Sequence, residues 1–220
     1  MSALVWDNVG EKKFENGVNH GVLYPQSSTG TYPKGVAWNG LTAVTESPSG
    51  AEPTDLWADN IKYASMRSAE TFGATIEAYT YPDEFAECDG SAEKADGVFI
   101  GQQPRKAFGF CYRTEIGSDT TPMEGDAYKL HLIYNATASP SSKNYGTIND
   151  SPDAITLSWE IDTVPVPVNG AKPTSCIVID STKADPTKLA ALLKKLYGDT
   201  SSEPQLPSPN EVIAMMGSVG

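Results

Sequence analysis

The chain has 220 residues, 39% of them hydrophobic, and 28 acids against 16 bases give it a net charge of −12. That length supports one packed domain, or one with an appendage, and 19 Gly with 16 Pro spread along it exclude a helical bundle or a coiled coil. The excess charge is concentrated, since residues 46–96 hold twelve acids against three bases. A surface built from that segment repels nucleic acid, although acids that merely solvate loops give the same count.

Taken from the amino terminus, residues 1–19 contain Trp6, Asp7, Glu11, Lys12 and Lys13 and lack the apolar stretch of a cleaved secretory signal. The longest apolar runs, 189–193 and 212–216, are five residues each, against the ~20 that span a bilayer. Strands are predicted at 18–24, 36–45, 61–67, 97–102, 106–113 and 175–180. Three longer segments alternate with period two. In 70–81, Phe72, Ala74, Ile76 and Ala78 oppose Thr71, Thr75, Glu77 and Tyr79. In 127–136, Tyr128, Leu130, Leu132 and Tyr134 oppose Lys129, His131 and Asn135, and in 154–164, Ile155, Leu157, Trp159 and Ile161 oppose Thr156, Ser158, Glu160 and Asp162.

Asn16-Gly17, Asn39-Gly40, Asp89-Gly90, Asp96-Gly97 and Asn169-Gly170 accept positive φ and predict tight reversals. Some nine short strands joined by such turns imply a β-sandwich or barrel. Residues 45–57 read as a long exposed loop, because two prolines, a glycine and three acids lie between two strand signals. Leu56, Trp57 and Ala58 at its end are an apolar cluster that is either core or a sticky surface awaiting a partner. The tail changes character: Asp185 caps a helix with Pro186 at its first position and a Leu189, Leu192, Leu193, Leu196 stripe, ended by Gly198. Ser208 and Glu211 form the capping box of a second short helix ending at Gly217. The expected organisation is a mainly β, sandwich or barrel-like domain over 1–182 and a C-terminal helical arm over 183–220, whose helices dock either on the sheet or on another subunit.

Little in the sequence converges on chemistry. Cys88, Cys111 and Cys176 are far apart and odd in number, which reads as three small thiols in a reducing compartment rather than a disulfide framework. His20 and His131 are the only histidines, neither accompanied by a nucleophile elbow or by metal-ligand spacing, so no catalytic, cofactor or metal residue is expected. His131 reads as a solvent-facing or internally satisfied strand residue. Glu77, Glu84, Glu160 and Asp162 with Trp57, Trp159, Tyr79 and Tyr81 could serve a carbohydrate-binding module or a glycosidase, which is the alternative reading. Glycine-rich phosphate loops and basic stripes interleaved with aromatics are both lacking.

Several long strings carry a resemblance. They are Gly35-Val36-Ala37-Trp38-Asn39-Gly40-Leu41-Thr42-Ala43-Val44-Thr45-Glu46-Ser47-Pro48-Ser49-Gly50-Ala51-Glu52, then Ala58-Asp59-Asn60-Ile61-Lys62-Tyr63, then Ser68-Ala69-Glu70-Thr71-Phe72-Gly73-Ala74-Thr75-Ile76-Glu77-Ala78-Tyr79 with Tyr81-Pro82-Asp83-Glu84-Phe85. Ile100-Gly101-Gln102-Gln103-Pro104-Arg105-Lys106, Tyr145-Gly146-Thr147-Ile148-Asn149-Asp150-Ser151-Pro152, Ser158-Trp159-Glu160 and Leu206-Pro207-Ser208-Pro209-Asn210-Glu211 follow in order. This series, spread over nearly the whole chain, resembles the major tail proteins of long-tailed, non-contractile phages of Gram-positive hosts.

The resemblance implies a β-sandwich subunit that forms hexameric rings stacked into a tail tube, made in the host cytoplasm and incorporated into the virion. DNA and the tape measure protein pass through the lumen, and the distal tail protein and tail terminator are further implied partners. It also implies a long loop or hairpin and terminal arms that bridge neighbouring subunits. By position that loop is 45–57, with Glu46, Pro48, Gly50, Glu52, Pro53, Asp55 and Trp57, and the arms are 1–17 and 182–220. An acidic lumen would let DNA pass without specific binding. Thr75, Glu77, Thr156, Ser158, Glu160 and Asp162 are the candidates for its lining, with plain outer surface as the equal alternative.

Overall fold

The structure, a computed structural model, describes residues 4–120, 127–148 and 154–217. The outermost residues of the two terminal segments, 1–3 and 218–220, and residues 149–152 of the resemblance lie outside the described residues. Among the described residues fourteen strands appear: β1 (Lys13–Pro25), β2 (Val36–Trp38), β3 (Leu41–Glu46), β4 (Ser49–Gly50), β5 (Pro53–Ala58), β6 (Ile61–Arg67), β7 (Glu70–Thr71) and β8 (Gly73–Ala78) lead. A 3-10 turn at Asp83–Phe85 precedes β9 (Ala92–Ala95), β10 (Val98–Ile100), β11 (Phe108–Ser118), β12 (Tyr128–Ala138), β13 (Leu157–Thr163) and β14 (Cys176–Asp180). Two helices, α1 (Pro186–Tyr197) and α2 (Pro209–Met216), follow among the described residues.

Eight strands form one antiparallel sheet in the order β2-β1-β11-β12-β13-β8-β3, with β14 also paired to β12. β12 is the pivot. Its first part pairs with β14 from Lys129 to Ile133, and its end pairs with β13 from Ala136 to Ala138. Between these stretches the register against β11 shifts, and Asn135 adopts φ 51°. Asparagine tolerates that left-handed conformation, and the resulting bulge turns the strand from one partner to the other. The sheet thereby folds into two layers, consistent with a β-sandwich.

Two cores follow from this folding. The first lies between the layers, where Trp38 packs against Phe85 at 4.6 Å, Phe110 at 5.5 Å and Trp159 at 5.6 Å between ring centres. Each such aromatic pair adds roughly 0.5–1.5 kcal/mol to its burial. The second core lies on the opposite face of β1, β11 and β12, where Val22, Tyr24, Leu130, Leu132 and Tyr134 meet Leu189, Leu192 and Leu196 of α1 and Val212 of α2. Tyr24 donates from its hydroxyl to the Leu196 carbonyl at 2.7 Å, tying sheet to helix. At Gly109 the missing Cβ leaves room for Leu206 of the linker between the helices to lie against β11.

The caps read from sequence are present. The Asp185 carboxylate accepts from the Thr187 and Lys188 amides, and Ser208 and Glu211 form a reciprocal capping box. Four expectations change. The segment 183–217 docks on its own sheet and shares the second core, so it is part of the domain and not a separate unit. β12 is buried on both faces from Leu130 to Tyr134, with Ile133 at 0% and the internally satisfied His131 at 8% exposure, because that stretch lies between two cores. Asn16-Gly17 is no reversal; it sits at a register shift inside β1, Gly17 at φ 72°, and the strand continues to Pro25. Residues 45–57 are largely strand rather than loop, with Pro53 as first residue of β5, where no ladder amide is required of it.

Candidate functional site

The most conspicuous surface is the ribbon grown from that expected loop. β3 ends at Glu46, and Ser47 then donates its amide to the Gly73 carbonyl at 2.8 Å. β4 pairs with β7 through Ser49↔Thr71 and Gly50↔Glu70. Gly50 and Ala51 then take φ 87° and 57°, swinging the chain into β5, which pairs only with β6. The turn joining them has Asp59 and Asn60 at φ 52° and 63°, the two consecutive positive values of a type I′ hairpin turn.

Every residue from Pro53 to Arg67 is exposed. The pairs Thr54↔Met66, Leu56↔Ala64 and Ala58↔Ile61 share one face, which is apolar except for Thr54. The other face carries Asp55, Trp57, Lys62 and Arg67, with an Asp55–Lys62 ion pair at 2.7 Å. Leu56 is 40%, Met66 56%, Ile61 63% and Trp57 68% exposed, so the apolar cluster is surface and not core. Of the expected loop residues, Pro53, Asp55 and Trp57 lie on this ribbon, Gly50 and Glu52 at its root, Pro48 just before β4, and Glu46 at the end of β3. A smaller hairpin, β9 with β10, presents Val98, Phe99 and Ile100 at 39–54% exposure. Only its second strand was legible, at 97–102.

Thr75 and Glu77 lie beside Glu160 and Ser158, through the pairs Glu160↔Thr75 and Ser158↔Glu77. Asp162 continues this outward polar face and accepts from the Ser139 hydroxyl at 3.2 Å, while exposed Thr156 lies just before β13. Five of the six candidates therefore share one sheet surface. Of the residues drafted for sugar binding, Glu77, Glu160 and Asp162 lie on this same surface, while Trp159 is at 0% exposure inside the first core and Trp57 is out on the ribbon.

A polar cluster that the sequence reading missed closes the sandwich at the root of the ribbon. His131 Nδ1 lies 3.2 Å from Glu46 Oε1, and its Nε2 lies 3.1 Å from the Thr114 hydroxyl. Tyr112 stacks on the ring at 4.5 Å and donates its own hydroxyl to Glu46 at 2.7 Å. Glu15 accepts from Thr114 at 2.5 Å and pairs with Lys129. Residues 15, 46, 112 and 131 come from four strands, so no local motif could announce the cluster. The hydrogen bond from His131, aided by Tyr112, holds the Glu46 carboxyl below the ordinary 4.5 against the opposing effect of burial. For Glu15 burial pushes upward, but the bonds from Lys129 and Thr114 outweigh it and leave the carboxyl lowered.

Depressed folded values stabilise the fold above the unfolded value and cease to do so as pH falls through the folded one. Urea midpoints should therefore hold from neutrality to about pH 5 and decline below about 4.5, and Glu46→Gln should flatten part of that acid limb. A wild-type midpoint independent of pH down to 3 would disprove the coupling.

Cys88 and Cys111 are buried and Cys176 is half-buried, all three free, and burial pushes each thiol up to about 12. Among the described residues no group of three or more His, Cys, Asp or Glu side chains is placed to hold a metal ion. Nor is any described helix long and apolar enough to cross a membrane. Set against protein-family models and curated proteins, the chain matches none.

Proposed function

We propose that this chain is a structural subunit that assembles with copies of itself into stacked rings, forming the tail tube of a long-tailed phage. The observation that carries this reading is the β5–β6 ribbon, whose apolar face is uncovered while the rest of the fold seals two cores. A two-stranded hairpin is at best marginal in water, so such a face calls for cover from another molecule. Acidic and hydroxyl side chains on the β8–β13 surface suit a conduit along which DNA moves without being held. Hexameric closure, the tape measure protein, the distal tail protein, the tail terminator and a place in the virion belong to the same proposal and rest on the sequence resemblance.

The test is negative-stain electron microscopy with light scattering on the purified chain as its concentration rises. The expected result is rings or tubes with a central hole. A monodisperse monomer at every concentration, alone and on co-expression with a tape measure protein, would sink the proposal.

A further inference from the structure

At the root of the ribbon lies a cleft of about 810 Å³ between residues 67–72 and the segment 165–176. Phe72, Pro165 and Pro173 give it apolar walls, and Arg67 and Lys172 bring two cations to it against one acid, Glu70. Neither cation has an ion pair among the described residues, in a chain of net charge −12. Ser175, which also lines the cleft, is 4% exposed, and its hydroxyl has no hydrogen-bond partner among the described residues. Buried polar groups in native proteins are ordinarily satisfied, so this hydroxyl points to an occupant that supplies a polar atom.

The ribbon tip has the complementary chemistry. Trp57 and Ile61 are 68% and 63% exposed, and the turn between them presents Asp59, an acid without an ion pair among the described residues. We infer that the cleft is the docking site for the hairpin tip, residues 57–61, of a second copy of this chain. This inference rests on the self-assembly proposed above and names the surface that receives the ribbon. The aromatic and aliphatic side chains of the tip enter between Phe72 and the prolines, and Asp59 meets Lys172 and Arg67. A tip cannot reach its own cleft, because the strand from Pro53 to Ala58 alone spans roughly 17 Å away from it. The contact joins two different surfaces, so it is heterologous and propagates from copy to copy until it closes or continues as a filament.

Cross-linking tests this, in a Cys176→Ser background that removes the thiol from the cleft. Ala58→Cys and Ala69→Cys are combined, and the chain is oxidised at concentrations spanning the onset of light scattering. A disulfide needs Cα atoms within about 7 Å, so a bond between these positions joins two chains. The expected result is a ladder of dimers, trimers and higher species in the double variant, with neither single variant passing the dimer. Asp59→Lys should reduce the ladder at least tenfold, and adding Lys172→Asp should restore it. Scattering assemblies that give no ladder would overturn this docking while leaving self-assembly standing. A chain that neither scatters nor cross-links would overturn both. If the cysteine variants fold poorly, the charge exchange read by scattering alone decides, and an Asp59→Lys chain that assembles as wild type refutes the inference.

Discussion

Serine at Leu56, Ile61 and Met66 together leaves the isolated chain as stable as the wild type and prevents it from assembling. Stability is spared because these side chains are 40–63% exposed and touch neither core. Exposed substitutions of this kind usually shift stability by no more than about 0.5 kcal/mol each. Assembly is lost because full burial of such a side chain is worth about 1.5–3 kcal/mol, and half of that is still available on this face. Three of them amount to roughly 2–4 kcal/mol per contact, a rise of about 30-fold to 1000-fold in the concentration needed to assemble. Circular dichroism melts and light scattering on the same samples check both halves. A large drop in melting temperature would assign the face to the protein's own core, and an unmoved scattering threshold would remove it from the interface.

Deleting residues 183–220 gives the opposite pattern, a chain that does not fold. The deletion uncovers Val22, Tyr24, Leu130, Leu132 and Tyr134 on the sheet and removes Leu189, Leu192, Leu196, Leu206 and Val212 that cover them. At about 1.5–3 kcal/mol for each buried side chain, the loss exceeds the 5–15 kcal/mol that typically holds a domain together. Leu192→Ala, a milder version, should cost about 2–5 kcal/mol in a urea titration. A soluble fragment of residues 1–182 with a cooperative melt would restore the helices to the status of a separable arm.

How much of this was legible in the sequence varies with the kind of burial involved. The alternation in 154–164 identified Trp159 and Ile161 as core because β13 is buried on one side only, the case in which period two is clearest. α1 and α2 were legible through caps, whose partners lie within three residues. The middle of β12 misled because both of its faces are covered there, and its second face carries Lys129 and His131, polar types that suggest solvent. The ribbon's second strand was legible at 61–67, but its first misled in another way: Thr54, Leu56 and Ala58 do alternate with Pro53, Asp55 and Trp57, while the prolines and acids nearby have the composition of a loop. The four strings of the resemblance that run from residue 35 to residue 85 cross the ribbon. They gave its position and not its conformation. The Glu46–His131 cluster was out of reach, since Glu15, Glu46, Tyr112 and His131 are brought together only by sheet register.

The bulge at Asn135 has a mechanical consequence. In most sandwiches the layers are separate sheets that slide once side-chain packing yields. Here the layers containing β14 and β13 are both bonded to the backbone of β12. A load entering at β13 and leaving at β14 passes along covalent bonds through Tyr134 and Asn135, so shear between the layers has to strip a ladder from β12 before they can slip.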